Sequence, residues 1–514
     1  MKVGRKNVNI DKKFVEKEVR MKICLIIPPS DFLSDERVFM TLGILKVASV
    51  LEKAEHHVDV IDLSGISNYE KVVEDYCRST EAGIFGLTAT TPQLPSAMNV
   101  LQTIRNHRPD TKIILGGPHI TLVNAAHKRE QKLKINGRAT TSFNQLFNDF
   151  DILVAGDGEE AVFRAIQEGA PKLIDADIPK DILFLDNKRL NELPFPARHL
   201  VDVNSYHYHI DGVRALSMIA QLGCPFECGF CGGRASPFLR KIRTRTSENI
   251  VAEMKHMFEK YGIRGFMMYD DELNVNKKIV ELMNLIAKTQ EDLGVEFRLR
   301  GFIKSELFTE EQAEAMYRAG FRWILVGFES GSPKILENIN KKATRDENTR
   351  CFEIARRNGL KVKALMSIGH PGESNETVMD TRDWLLQIKP EDFDVTIITT
   401  YPGTPYYDYA IPHETESGIW VYTFEKTGDK LYSKEVDYRT TADYYKGNPE
   451  GGYKSFVYTD HLSPEQLVEL RDFVEKDVRE KLNIPFNPSA AAIRYEHSMG
   501  QMGRLPPNIL RSTQ

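Results

Sequence analysis

The sequence predicts an α/β protein of two units in tandem, a doubly wound parallel sheet followed by a partial (βα)6 barrel, with a mixed extension behind them. Three observations carry that reading. Short apolar runs alternate with helical-period segments from residue 22 onward. The runs end in polar or glycine-rich turns, PPSD, TATTPQ, GGPH and GDGEE. A second alternation, with six further strand candidates, starts near residue 214. The length, 514 residues, accommodates about three domains at ~100–200 residues each.

Residues 1–20 are polar and read as an N-terminal arm. A first domain, 21–190, opens with KICLIIP (22–28). A helix follows with Ile44, Val47, Ala48 and Leu51 on one face, and then the alternating VDVIDL (58–63). IFGL (84–87), a helix around 96–107, KIILGG (112–117) and ILVAG (152–156) continue the pattern. In such a sheet a ligand binds in the crevice beyond the carboxyl ends of the strands. ELPFPARHLVD (192–202) cannot continue a helix or a central strand, so 191–213 is a linker. Strands of a second domain, 214–405, are expected at 216–222, 265–271, 295–300, 323–327, 362–369 and 395–401. Six βα units suggest a partial barrel. Thr309 with Gln312 and Thr344 with Glu347 have capping-box spacing, and Gly320 and Gly359 stand where C-terminal caps belong. After Pro405 the texture changes: 406–460 is tyrosine-rich without clear period, and Ser463-Pro464-Glu465-Gln466 opens a helix to about 482. The last 30 residues look irregular, and 406–514 is taken as a C-terminal extension.

The composition excludes several classes. Hydrophobic residues are 41% and charged residues 27%, ordinary for a globular protein and unlike a disordered one. Lys plus Arg is 68 and Asp plus Glu 73, a net charge of −5, which gives no electrostatic case for nucleic acid. No run approaches the ~18 apolar residues that a membrane span needs. MKVGRKNVNIDKK is basic but lacks the apolar stretch of a secretory signal, so a cytoplasmic enzyme is expected.

Six cysteines do not make a disulfide framework in a chain of this length. Cys24, Cys77 and Cys351 are scattered in apolar or helical contexts and are expected as buried thiols. Cys224, Cys228 and Cys231 crowd into one loop, GCPFECGFCGG, directly after the second domain's first strand. C-x3-C-x2-C thiolates can hold three irons of a [4Fe–4S] cube and leave the fourth open to a substrate or cofactor. Structural zinc would need a remote fourth ligand, and a redox dithiol would leave Cys224 unexplained.

That loop resembles the signature of the radical S-adenosylmethionine (SAM) superfamily. Tyr269-Asp270-Asp271, Gly327-Phe328-Glu329-Ser330-Gly331-Ser332, Gly369-His370-Pro371-Gly372-Glu373 and Tyr401-Pro402-Gly403-Thr404-Pro405 are similar to the family's strand-end motifs. The resemblance covers roughly 190–405 and implies a TIM-type partial barrel, a [4Fe–4S] cluster on the three cysteines, and SAM on the open iron, cleaved to a 5′-deoxyadenosyl radical. It implies SAM contacts from Gly232 and Gly233, from Asp270 and Asp271 to the ammonium, from Arg300 to the carboxylate, and from Glu329 and Ser330 to the ribose. Strand-end carboxylates can equally cap helices, and Arg300 can pair with any neighbouring acid.

The first domain, flavodoxin-like in this reading, resembles the cobalamin-binding domain of the family's cobalamin-dependent branch. Thr88, Thr90, Gly116, Gly117, Gly156 and Gly158 are its candidate corrin contacts, though these threonines can also cap the next helix and Gly116-Gly117 can simply make a turn. The Asp-x-His-x-x-Gly motif that supplies an axial imidazole in many cobalamin proteins is absent, and His119 in GGPH reads as a turn residue. His207 and His209 read as a polar strand at the junction, or as a metal pair lacking a third ligand. The tyrosines at 406, 407 and 409 and the 420–458 stretch either cover the barrel mouth or pack a hairpin. The C-terminal helix, with Leu467, Leu470 and Val474 on one face, reads as a docked helix.

The reaction the resemblance implies is cobalamin-dependent methylation of an unactivated carbon in a small-molecule, lipid or peptide substrate. The alternative is SAM-radical cyclisation, rearrangement or oxidation without methyl transfer. A non-catalytic cobalamin or Fe–S sensor would need no open iron, and tRNA methylthiolation would need a second cysteine set and a basic module. An electron donor such as flavodoxin or ferredoxin is the expected partner.

Overall fold

The computed structural model describes residues 20–30, 33, 35–445, 447, 452–485 and 511–514; most of the expected arm (1–19) and of the irregular end (486–510) lies outside them. The first unit is a parallel sheet of β1 (Lys22–Ile27), β2 (His57–Asp62), β3 (Ile84–Thr88), β4 (Lys112–Gly116), β5 (Ile152–Gly156) and β6 (Leu173–Ala176), in the order β2-β1-β3-β4-β5-β6. Its inner strands β1, β3, β4 and β5 are largely buried apolar runs, as a sheet covered on both faces requires, whereas the edge strands β2 and β6 carry polar residues. The helices are α1 (Leu42–Lys53), α2 (Tyr69–Ser79), α3 (Leu94–His107), α4 (Pro118–Leu133), α5 (Arg138–Asp149) and α6 (Gly158–Ala165). Sequence periodicity misses β6, because LIDA is four residues long with a polar third position. Between β1 and β3 the strand order reverses, and the carboxyl edge opens a crevice there.

The connector runs through α7 (Asn187–Glu192) to a hairpin of β7 (His209–Ile210) and β8 (Val213–Met218). His209 therefore does lie on a short strand, while His207 pairs with Asp35 at 2.7 Å. A two-stranded ribbon of β9 (Gln221–Leu222) and β10 (Arg243–Thr244), with α8 (Pro237–Arg240) between them, brackets the cysteine loop. The barrel strands are β8, β11 (Gly265–Met268), β12 (Arg298–Ile303), β13 (Phe321–Glu329), β14 (Lys361–Ile368) and β15 (Asp392–Ile397), all parallel. Between them lie α9 (Ser247–Tyr261), α10 (Ile279–Leu293), α11 (Glu310–Arg318), α12 (Pro333–Asn338), α13 (Arg345–Arg357) and α14 (Asn375–Ile388). Thr344 and Glu347 make both bonds of the expected box, whereas at α11 only the Thr309 side chain caps.

β15 does not pair back to β8, so the barrel stays open. Beyond α15 (Pro405–Asp408), the tyrosine-rich stretch forms an antiparallel sheet of β16 (Ile411–Pro412), β17 (Ile419–Thr423), β18 (Lys430–Lys434) and β19 (Val457–Thr459). It is followed by α16 (Pro464–Leu482), whose Ser463–Gln466 capping box is complete. α16 covers the open edge of β15. Glu475 accepts from the Val395 N–H at 2.5 Å, Arg471 donates to the Val395 carbonyl at 3.0 Å, and the Tyr453 hydroxyl accepts from the Ile397 N–H at 3.0 Å. An exposed strand edge is thereby satisfied by side chains. At the barrel base, buried Lys363 sits 3.0 Å from Asp392 and 3.1 Å from Asp394, and Arg479 joins Asp392 at 3.1 Å.

Buried ion pairs fix the connector and the first unit to the second unit. Arg198 of the connector lies 2.7 Å and Arg245 2.5 Å from Glu253 on α9. Arg243 of β10 lies 2.5 Å from Asp157, which follows β5. Burial raises the Glu253 pKa, but the two arginines outweigh it and hold the carboxyl at about 2. Glu253→Gln keeps the shape and leaves both guanidiniums without counter-charge, so it is expected to cost about 3–5 kcal/mol. Because the folded pKa is depressed, the wild-type advantage is present above the ordinary 4.5 and lost as pH falls toward about 2. Denaturant midpoints of both proteins across that range check this, and a gap unchanged at the acid end contradicts it.

Candidate active site at the seam of two sheets

The cysteine loop is built by backbone anchoring. Gly223 has φ +85, and a Cβ there would stand 2.3 Å from the Lys241 carbonyl, so only glycine lets the loop leave β9 this way. The Cys224 N–H donates to the Leu239 carbonyl at 3.0 Å, Gly229 N–H to Ile339 at 2.8 Å, and Gly233 N–H to Gly403 at 2.9 Å. The Asn340 amide donates to the Glu227 carbonyl at 2.9 Å. Phe230, the aromatic before the last cysteine, packs on Ile335, Leu336 and Ile339.

These contacts leave Cys231 exposed, Cys224 partly exposed and Cys228 buried. Burial pushes the Cys224 thiol up to about 11 and raises the Cys228 pKa as well. Three thiolates in such surroundings call for compensating positive charge, which iron supplies. Among the described residues no three His, Cys, Asp or Glu converge on a single ion position. Three thiols that each hold a different iron of a cube need not do so. The other cysteines, Cys24, Cys77 and Cys351, are buried as expected.

Around the loop stand the carboxyl ends of the barrel strands. Asp271 is exposed, and its charge raises the Cys224 and Cys231 thiols. Glu329 ends β13 beside a register shift, with φ +66, a left-handed conformation that costs a β-carbon-bearing residue roughly 1–2 kcal/mol. Both its carboxylate oxygens are held, by Lys341 at 3.2 Å and by the Ser367 hydroxyl at 2.8 Å. Ser367 in turn bonds His370 Nε2 at 2.8 Å, and His370 Nδ1 meets the Tyr406 hydroxyl at 3.3 Å. Burial drops the His370 pKa to about 3, so the imidazole is neutral. Donor order then follows: Ser367 donates to Glu329, Nε2–H to Ser367, and Tyr406 to Nδ1.

Three residues expected at SAM have other partners. Asp270 is 2% exposed, and its Oδ1 accepts from the Ala220 and Gln221 N–H groups at 2.9 and 2.5 Å; it holds the backbone entering the cysteine loop. Ser330 is buried and bonded to Thr381 at 3.0 Å and to the Ser332 N–H at 3.1 Å, closing the turn after β13. Arg300 lies near the amino end of β12, paired in register with Trp323, and donates to the Tyr208 hydroxyl at 3.2 Å. It belongs to the barrel's lower layer, away from the cysteine loop. Gly232, Gly233, Asp271 and Glu329 are brought to the loop, although the Gly233 N–H and its φ of +82 are taken up by the loop's own folding. Lys304, Lys341 and Glu272 also reach it electrostatically and escaped sequence reading, since a lysine or glutamate after a strand carries no motif of its own.

Between the two units lies a cavity of ≈ 440 Å³. Thr88, Thr90, Gly116, Gly117, Gly156 and Gly158 all line it, facing Ile219, Leu222, Phe238 and Tyr269 of the second unit. At Gly117, φ +96, a Cβ would stand 2.4 Å from Thr88 Oγ1; at Gly156, φ +89, it would stand 2.6 Å from the Ala176 backbone. Thr90 also caps the turn before α3, bonding Gln93 at 2.9 Å. The floor is apolar, with Ile23, Leu25, Ile84 and Ile114 among its residues, and no histidine is among the described lining residues. His119 is buried against Thr91 at 3.0 Å, in the first turn of α4. A wide cavity with small residues at its rim and an apolar floor suits a large, flat, amphipathic cofactor.

Two α/β units that turn their carboxyl edges toward one cavity and one cysteine loop define a cofactor-dependent enzyme. Residues 218–385 match the radical SAM superfamily and residues 34–147 match the B12 binding domain. The chain therefore carries a radical SAM domain and, ahead of it, a B12-binding domain. Its cofactors are a [4Fe–4S] cluster, SAM and cobalamin. The chain is similar to the uncharacterized methyltransferase PH0819 of Pyrococcus horikoshii, 28% identical over 76% of this chain and 83% of that protein. It is also similar to the anaerobic magnesium-protoporphyrin IX monomethyl ester cyclase of Rubrivivax gelatinosus, 24% identical over 73% of this chain and 66% of that one. The fold is shared with the radical SAM methyltransferase TsrM of Kitasatospora setae, solved with cobalamin and a [4Fe–4S] cluster. That likeness has a TM-score of 0.63 at 17% identity, over 89% of this chain and 91% of the other. No described helix is long and apolar enough to cross a membrane.

The anchoring of the loop yields a test. Gly223→Ala is expected to displace the loop's first residue and cut iron from about four per chain, the content of a [4Fe–4S] cube, to a minor fraction. Iron and sulfide assays after anaerobic reconstitution check it, and full iron content in the variant contradicts it.

Proposed function

We propose that the chain is a cobalamin-dependent radical SAM methyltransferase acting on an unactivated carbon of a small-molecule, lipid or peptide substrate. The observation that carries this is the cavity walled by strand ends of both units, beside the cysteine loop. When bound, the reduced cluster and SAM supply a hydrogen-abstracting radical, and cobalamin supplies the methyl group.

The residues have separable tasks in this reading. Cys224, Cys228 and Cys231 hold three irons. Asp271, exposed beside the loop, accepts from the SAM ammonium, while Asp270 holds the backbone entering the loop through its Oδ1. Gly232 lets backbone lie close to the methionyl group. Glu329, held by Lys341 and Ser367, faces the ribose hydroxyls. Gly116, Gly117, Gly156 and Gly158, with Thr88 and Thr90, rim the corrin, and the residues of the seam keep water from it. A reductant such as flavodoxin or ferredoxin is the partner.

A second reading, SAM-radical cyclisation or oxidation without methyl transfer, is favoured by the likeness to the cyclase. The two separate on products. Methyl transfer gives S-adenosylhomocysteine together with 5′-deoxyadenosine, and the other chemistry gives 5′-deoxyadenosine alone. Anaerobic purification with cobalamin supplied is expected to give about four irons and a single corrin equivalent per chain, with SAM cleaved by reductant. The Cys224→Ala, Cys228→Ala, Cys231→Ala triple variant is expected to lose SAM cleavage to background. Cluster without corrin demotes methyl transfer to second place, and absence of a cluster removes the proposal.

A further inference from the structure

The seam between α1 and α6 contains a lysine that the fold leaves unpaired, and burial lowers its pKa. Lys46 lines the interdomain cavity and is only 9% exposed. Among the described residues its ammonium makes no hydrogen bond or ion pair, although buried lysines are ordinarily paired. The acids that influence it are Glu159, Glu253 and Asp157, with Arg245 opposing them. Glu253 is already held by Arg198 and Arg245, and Asp157 by Arg243. Glu159, on α6 across the seam, supports the charge without touching it.

Lys46 follows Leu42 by four residues and Gly43 by three, so it shares their face of α1, and its side chain lies back over the first turn. That turn lines the same cavity, through Thr41, Leu42, Gly43 and Ile44. The Thr41 side chain does not cap it, so among the described residues its amides lack both intrahelical and side-chain acceptors. Nothing lies within 4 Å of where a Cβ on Gly43 would stand. An ammonium and an uncapped helix start lining one cavity make a site for an anion. The apolar floor behind them requires that this anion belong to a ligand that is otherwise largely uncharged.

We propose that Lys46 and the first turn of α1 bind the phosphodiester in the nucleotide arm of cobalamin. The inference rests on the cobalamin reading above and adds to it the residue that distinguishes a complete corrinoid from a truncated one. Corrinoids that end before the phosphate fill the wide part of the cavity and gain nothing from Lys46.

The test is a binding titration, followed by visible absorbance, of the full chain with cobalamin and with cobinamide, which ends before the phosphate. Wild type is expected to prefer cobalamin. Lys46→Met is expected to weaken cobalamin at least tenfold and leave cobinamide unchanged, and Lys46→Arg to keep most of the preference. Unchanged cobinamide binding also shows that the variant is folded. Equal losses for both ligands, or none for either, overturn the proposal. Wild type that binds neither corrinoid overturns the cobalamin reading itself, and this inference with it.

Discussion

The contact on which the rest of the molecule depends is the buried pair of Arg243 and Asp157, each 1% exposed at the side chain. Asp157 belongs to the turn after β5, and Arg243 to the ribbon that brackets the cysteine loop. Such a pair has a large desolvation cost, repaid here only in part, because Asp157 Oδ1 and Arg243 Nε are buried without a hydrogen-bond partner among the described residues. Asp157 also accepts from the Leu185 N–H at 2.9 Å, and Arg243 donates to the Leu185 and Phe238 carbonyls and stacks near the Phe184 and Phe238 rings. Asp177 adds a bond to the Phe238 N–H at 2.6 Å. The pair therefore works less as a source of stability than as a fixed distance between two carboxyl edges. The cavity exists because those edges are held apart with polar groups at their meeting point and apolar or glycine surface to either side.

The second determinant is the incompleteness of the barrel. A closed barrel would bury its own interior; this one ends at β15, and α16 supplies side chains where a seventh strand would supply backbone. The base is filled by Lys363, Asp392, Asp394 and Arg479, whose charges compensate one another in a place that water does not reach. Closing the base with charge and leaving the other end open keeps the interior accessible from the cofactor side alone.

How much of this is legible in the sequence depends on range. The cysteine loop is legible because all its ligands lie within eight residues, and the strand ends because periodicity stops at them. All six glycine and threonine candidates of the first unit line the cavity for that reason: they mark carboxyl ends, and carboxyl ends converge. The candidates that take other partners share a cause too. Asp270, Ser330 and Arg300 have residue types suited to SAM, but their neighbours come from far along the chain: Ala220, Thr381 and Tyr208. Two-residue and three-residue strands such as β16 and β19 are too short to show a period. Lys46 looks like an ordinary solvated position of an amphipathic helix until α6 and the second unit are laid across it.

The network around Glu329 joins these scales. A left-handed glutamate at the end of a strand is strained unless its side chain is worth more in place than released. Here Lys341 and Ser367 bind its two oxygens, neutral His370 bridges Ser367 to Tyr406, and the Tyr406 N–H donates to the Gly229 carbonyl inside the cysteine loop at 3.3 Å. Strain at the strand end and position of the loop are thus one chain of hydrogen bonds. Neutrality of His370 matters to it, because a protonated ring would donate from both nitrogens and turn the Tyr406 hydroxyl away. Burial secures that neutrality, and the Lys341 charge that holds Glu329 adds to it, so one lysine serves both ends of the network.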